Sequence, residues 1–285
     1  MIFETHAHYD DERFDPDRAG LLLSMKEKNI GHIINVGASM AESLESIRLS
    51  KEYPFIYASV GAHPDEIGIL NDEWMEKMLS WCKDPKVVAV GEIGLDYYFD
   101  EDVTDKEAVK EKQIFWFKKQ LEVAEKAHLP VLIHSRDAAE DTMNILTEYA
   151  EKVCPVTEEN AVDRAEGIVS PGVIHCYSYS LEQAKIYLKQ GWYFGIGGVL
   201  TFKKSKKLQE VVEYLPLSRI LTETDSPYLC PEPFRGNRND STYIPYVIQK
   251  IAEIKGLSEA EVTEVTERNA MRLFSKVSLY EKKSN

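Results

Sequence analysis

The chain has 285 residues, long enough for two average domains but also close to the length of about 250 residues that a single (β/α)8 barrel uses. With 44% hydrophobic and 29% charged residues it has the makings of a large core, which excludes disorder over most of its length. The excess of 48 acidic over 34 basic residues gives a net charge of -14, which excludes a protein coated by nucleic acid over most of its surface. It does not exclude one that grips a few phosphates locally, because salt screens charges beyond about 10 Å.

Eight short, β-branched apolar runs alternate with segments of helical period, the pattern of βα units around a parallel sheet. In chain order they are Ile2 to His8, His32 to Gly37, Ile56 to His63, Val87 to Asp96, Pro130 to His134, Gly172 to Cys176, Tyr193 to Gly197 and Ile220 to Asp225. Each is almost continuously apolar, as strands covered by helices are. Thr104 with Glu107, Ser180 with Gln183, and Ser258 with Glu261 have capping-box spacing and mark helix starts. Gly31, Gly191 and Gly256 follow helical stretches and mark their ends. Beyond the eighth run, Tyr243 to Lys255 and Ser258 to Ser275 read as two closing helices, and Val277 to Asn285 as a frayed tail.

The expectation is an α/β fold, a TIM barrel with two additional C-terminal helices, forming one domain over residues 1–276. The polar stretch Glu151 to Pro171 is a long connection, read as a surface insertion with a short helix in preference to a catalytic lid. Cys82, Cys154, Cys176 and Cys230 lie far apart and form no C-x-x-C pair, so reduced thiols and a cytoplasmic location are expected. No stretch reaches the roughly 18 apolar residues of a membrane helix, and the N-terminus lacks a basic-then-apolar pattern, so neither membrane insertion nor export is expected.

The first run ends His6-Ala7-His8, and alternation along a strand puts both imidazoles on one face about 7 Å apart. Alone, the pair fits a metal site or two satisfied polar groups. The fourth run carries Glu92 inside apolar sequence, where an unpaired charge would cost several kcal/mol. The fifth and sixth runs reach His134 and His175, and the eighth reaches Asp225. In a barrel these positions meet at the C-terminal mouth, where active sites are built. Four histidines and two carboxylates converging there make a metal site the simplest account.

The phrases Thr5-His6-Ala7-His8, Val90 to Asp96, Ile133-His134-Ser135-Arg136, Val173 to Cys176 and Glu223 to Tyr228 together resemble the TatD family of metal-dependent deoxyribonucleases, with similarity from Ile2 to about Phe274. The resemblance implies two divalent ions (Mg2+, Mn2+ or Zn2+), one on His6, His8, Glu92 and Asp225, the second on Glu92, His134 and His175, with Glu92 bridging. It implies hydrolysis of DNA, acting on single strands from the 3' end. Asp225 is expected both to bind metal and to take the proton of the attacking water. Gly61-Ala62-His63-Pro64 resembles the family's Gly-x-His-Pro element, which makes His63 a group that binds the scissile phosphate or protonates the leaving oxygen. Arg235-Gly236 resembles a phosphate-binding loop of the family, and a guanidinium suits that task. Lys203 and Lys204, with Lys206 and Lys207, form a basic run after the seventh strand that suits a nucleic-acid backbone or a solvated helix face. Tyr97, Tyr98 and Phe99 are placed either to stack on bases or to pack their loop.

Tyr179 and Asp240-Ser241-Thr242 depart from the family's usual residues close to the expected substrate groove. Two other readings stand beside the deoxyribonuclease. One is an ester or amide hydrolase, such as an aminoacyl-tRNA deacylase or lactonase. The other is a non-catalytic protein whose metals hold only the fold.

Overall fold

The computed structural model describes residues 1–99, 103–155 and 170–284. Eight parallel strands are hydrogen-bonded side by side in chain order. They are β1 (Ile2–Ala7), β2 (Ile30–Val36), β3 (Ile56–Val60), β4 (Val87–Asp96), β5 (Val131–Arg136), β6 (Gly172–Ile174), β7 (Tyr193–Ile196) and β8 (Ile220–Thr222). Among the described residues an α-helix follows each strand, from α1 (Arg18–Ser24), α2 (Met40–Glu52), α3 (Asp72–Trp81) and α4 (Lys106–Ala127) to α5 (Ala139–Val153), α6 (Leu181–Lys189), α7 (Lys206–Tyr214) and α8 (Ile244–Lys255). This is the TIM barrel expected from the alternating pattern.

The barrel closes between β8 and β1 at its C-terminal rim. Ala7 bridges to Ser226, the His8 amide donates to Ser226 O (2.8 Å), and the Asp225 amide donates to His6 O (2.9 Å). The Glu4 carboxylate completes the seam, accepting from the amides of His6 and Thr224 at 3.0 Å each, and from the hydroxyls of Thr224 (2.7 Å) and Ser241 (3.1 Å). One large apolar cluster lies between sheet and helices. A second takes a residue from each strand, Phe3 on β1 through Leu221 on β8, and joins them to Ala270, Leu273, Phe274 and Val277, which close the opposite end of the barrel.

Several expectations are corrected. The two expected closing helices are present as α8 and α9 (Glu259–Leu273), but the tail expected to fray is a further helix, α10 (Ser275–Ser284). Val277 is fully buried, and the Lys276 ammonium donates to the carbonyls of Cys82 (3.1 Å), Asp84 (2.7 Å) and Val87 (2.6 Å), tying α10 to the start of β4. Helix α4 is capped by Asp105, whose side chain accepts from the Ala108 amide, and not by Thr104. Gly31 lies inside β2, and the left-handed residue before that strand is Asn29 (φ 63°). Ser180 and Gln183 form the expected reciprocal capping box, Ser258 accepts from the Glu261 amide, and Gly191 and Gly256 have positive φ. Of the expected insertion, Glu151–Val153 are the last turn of α5, and residues 156–169 lie outside the described residues. Among the described residues no helix is long and apolar enough to cross a membrane.

Candidate metal centre

The six residues singled out in the sequence come together at the C-terminal mouth. His6, Glu92 and His134 belong to strands, whereas His8, His175 and Asp225 lie just past the last residue of β1, β6 and β8. Backbone conformation aims these last groups: Asp225 (φ 57°) and Cys176 (φ 44°) occupy the left-handed region, which costs a residue with a Cβ roughly 1 kcal/mol or more. Both follow strands that must stop abruptly at the rim.

Glu92 is the centre of the cluster. Its Oε2 stands 3.3 Å from His6 Nε2 and 3.7 Å from His8 Nε2, while Oε1 stands 2.9 Å from His134 Nδ1 and 3.9 Å from His175 Nε2. Asp225 Oδ1 faces the same space, 3.8 Å from His6 Nε2 and 3.6 Å from both His8 Nε2 and His175 Nε2. The His6 and His8 Nε2 atoms are 3.2 Å apart. Ligands held at about 2.1 Å from one ion stand roughly 3 to 4 Å from each other, so these separations suit a shared cation. His6, His8 and Asp225 satisfy this mutually, and His63, Glu92 and His134 form a looser group whose ligand atoms lie within 4.8 Å of one another.

The electrostatics of the cluster favour positive charge. Burial alone would lower the His8 pKa, but Asp225, Glu92 and Asp10 outweigh it and hold it at about 10. Burial is likewise overcome at His134, where Asp96 and Glu92 raise it to about 10, and at His175, where Glu223 and Asp225 raise it to about 9. His6 goes the other way, kept neutral by burial and by His175, whose ring lies flat on its own with centroids 3.4 Å apart. Burial would raise the Glu92 carboxyl, yet His6, His134 and His175 hold it well below the usual range; His175, His8 and His6 likewise overcome burial to lower Asp225. A buried group of carboxylates that stabilises extra positive charge is the electrostatic setting a divalent ion requires.

A surrounding layer orients these groups. His8 Nδ1 is 3.1 Å from Val36 O, His134 Nε2 is 3.1 Å from Asp96 Oδ2, and His175 Nδ1 is 3.0 Å from Glu223 Oε1. Glu223 also accepts from the Cys176 amide at 2.6 Å. Glycines make room: a Cβ on Gly195 would fall 2.2 Å from Glu223 Oε2, and one on Gly94 would fall 1.8 Å from His134 O. Sequence reasoning missed Glu4, Asp96 and Glu223 as parts of the site. The period-two signal that could have found them is present, since Glu4 precedes His6 by two, Asp96 follows Glu92 by four and Glu223 precedes Asp225 by two.

The other expected site residues are distributed around this cluster. His63 caps a short 3-10 helix (Pro64–Ile69), its Nδ1 accepting from the Asp65 amide (3.3 Å) and its ring set edge-on to His134 with centroids 4.3 Å apart. Arg235 is exposed and lies over the Phe202 ring, 4.6 Å from its centroid. That places it beside Lys203 and Lys204, which are exposed and, with Lys206, Lys207 and Ser178, line a cleft of about 560 Å³. The two departures are structural: Tyr179 OH meets Ser135 Oγ at 2.8 Å, and Ser241 binds Glu4.

A TIM barrel with buried histidines and carboxylates at its C-terminal mouth defines the class of metal-dependent barrel hydrolases. The sequence matches the TatD related DNase family over residues 3–275. The chain belongs to that family. It is 37% identical over 279 residues to a protein of Bacillus subtilis named as the uncharacterized metal-dependent hydrolase YabD, covering 96% of this chain and 99% of the relative. It is 26% identical over 280 residues to a protein of Erwinia tasmaniensis named as the 3'-5' ssDNA/RNA exonuclease TatD, covering 96% and 100% respectively. The crystal structure of the TatD homologue YJJV from Escherichia coli superposes with a TM-score of 0.83 at 28% identity, over 96% of this chain and 98% of that one. The protein is a metal-dependent hydrolase.

Proposed function

We propose that the chain hydrolyses phosphodiester bonds of DNA, shortening single strands from the 3' end, with two divalent ions in its site. The observation that carries this reading is the disposition of Glu92, whose two oxygens face two different histidine pairs. His6, His8, Glu92 and Asp225 would hold one ion, and Glu92, His134 and His175 the other, with Glu92 shared. Bound as Mg2+, Mn2+ or Zn2+, such ions supply Lewis acidity toward the phosphoryl oxygens and toward water. The exonuclease named in Erwinia tasmaniensis supports the choice of nucleic acid as substrate.

The chain's own groups complete the chemistry. Asp225 turns Oδ1 to the histidines, which leaves Oδ2 to orient a water molecule and take its proton as the new P–O bond forms. His63, its Nδ1 3.3 Å from both the amide nitrogen and a carboxylate oxygen of Asp65, is placed to offer a proton from Nε2 to the leaving oxygen as the old P–O bond breaks. Arg235, Lys203 and Lys204 hold the flanking backbone by charge.

The test incubates purified protein with Mg2+, Mn2+ or Zn2+ and a 5'-labelled single strand, beside a panel of lactones, amides and aminoacyl esters. Stepwise shortening from the 3' end, abolished by chelation, is the expected result. Turnover of an ester with the strand left intact overturns the reading in favour of another hydrolase. A chelator that lowers the melting temperature while no substrate of either kind is turned over would leave only a structural role.

A further inference from the structure

Among the described residues, the mouth of the barrel carries a guanidinium, that of Arg136, to which neither the fold nor the proposed chemistry gives a task. Arg136 is the last residue of β5, two beyond His134, so the two side chains leave the strand on the same side. In the sheet it is paired with Asp96 at the end of β4. Asp96 is already occupied, its Oδ2 lying 3.1 Å from His134 Nε2 and its Oδ1 accepting from the Tyr98 amide at 2.8 Å. Arg136 approaches it only to 4.0 Å, and its side chain is 53% exposed. By contrast, Arg13, Arg18, Arg48 and Arg238 each donate a hydrogen bond to a carboxylate.

What orients Arg136 instead is an aromatic ring: its guanidinium carbon lies 3.8 Å from the centroid of Tyr98, which is itself 61% exposed. Stacking fixes the plane of a guanidinium and leaves its N–H fork at the edges, placed to engage two oxygens of an acceptor such as phosphate. The exposed tyrosine still has surface to offer a base. Lys110 lies over Tyr97 on the same loop, with its ammonium 5.1 Å from the ring centroid, adding positive charge nearby.

We propose that Arg136 and Tyr98 form a nucleotide subsite next to His134, in which the guanidinium grips the phosphate neighbouring the scissile one and the phenol ring stacks on the attached base. The proposal rests on the nucleic-acid reading above and adds a second anchoring point. Arg235, set on Phe202 in the loops after β7 and β8, would hold the strand at that part of the mouth, and Arg136 would hold it at the end of β5.

The test measures binding of a labelled phosphorothioate single strand, which keeps its charges and resists cleavage, to the metal-loaded full chain. Arg136→Ala is expected to weaken binding roughly tenfold, the value of a charge-assisted hydrogen bond, and to flatten the plot of log K against log salt by about 0.7, one phosphate on a single strand. Neutralising the linkages one at a time with methylphosphonate must find one position that weakens wild-type binding and has no further effect in Arg136→Ala. Tyr98→Ala, a change at an exposed ring, is expected to cost roughly tenfold and to lose nothing more when the base at that position is removed. An unchanged salt slope, or a methylphosphonate profile identical in wild type and Arg136→Ala, overturns the subsite. If the subsite passes these tests while wild type cleaves no DNA, the nuclease reading fails and the subsite stands. If wild type cleaves and the profile does not move, the subsite fails alone.

Discussion

Loading the metal-free protein with Zn2+ or Mn2+ in a weak buffer at pH 7 should release protons, and their number follows from the cluster. His8, His134 and His175 are held at about 10, 10 and 9, so each carries a proton at pH 7 when no metal is present. His6 is already neutral, and the Glu92 and Asp225 carboxyls are lowered, so none of those contributes. Filling the two positions proposed above should therefore release close to three protons from protein side chains, one from each of the three imidazoles, because a nitrogen must be deprotonated to bind a metal. Apparent affinity should fall by about tenfold per pH unit for each proton displaced as the solution is acidified from pH 8 to pH 6. The metal-free protein should respond in the opposite sense. Imidazoles raised above their unfolded value of about 6.5 contribute stability that is complete below that pH and is lost as pH rises through 9 to 10. Stopped-flow indicator titration and calorimetry in buffers of different ionisation heat count the protons directly. Release of less than one proton, or an affinity indifferent to pH, would refute the assignment of these imidazoles as ligands.

Asp225→Asn should reduce turnover by about a hundredfold to ten-thousandfold while substrate affinity changes only a few-fold; kinetics that leave turnover intact would remove the proton-accepting role. Gly195→Ala puts a Cβ 2.2 Å from Glu223 Oε2, and the displaced carboxylate should release His175 and weaken one metal by about 10- to 100-fold, read by competition with a chromophoric chelator. An affinity equal to wild type would mean that Glu223 does not support the site. Val277→Ala, far from the mouth, should cost about 2 kcal/mol through lost burial and a residual cavity, seen in denaturant unfolding, with the metal affinity unaltered. A stability change near zero would show that α10 is not part of the core.

The barrel and most of its centre could be read from the amino-acid order because both rest on local regularities. Apolar runs at intervals alternate with helical segments, and a polar residue at the end of such a run, whether His134, His175 or Asp225, has nowhere to go but the rim. Glu92 announced itself by the cost of an unpaired buried charge. What only the tertiary structure decided depends on contacts between segments far apart in the chain. The left-handed turn at Asp225 exists because β8 must close onto β1, a bond between residues more than 200 positions apart. Glu223 and Asp96 stand at even spacing from Asp225 and Glu92, which puts them on the same face of their strands, but their task appears only once His175 and His134 are placed against them. Helix α10 is short and polar, too weak to form alone, so its sequence reads as a fraying end. It is held by the carbonyls that Lys276 meets and by the apolar floor that receives Val277, and neither exists until the barrel has closed.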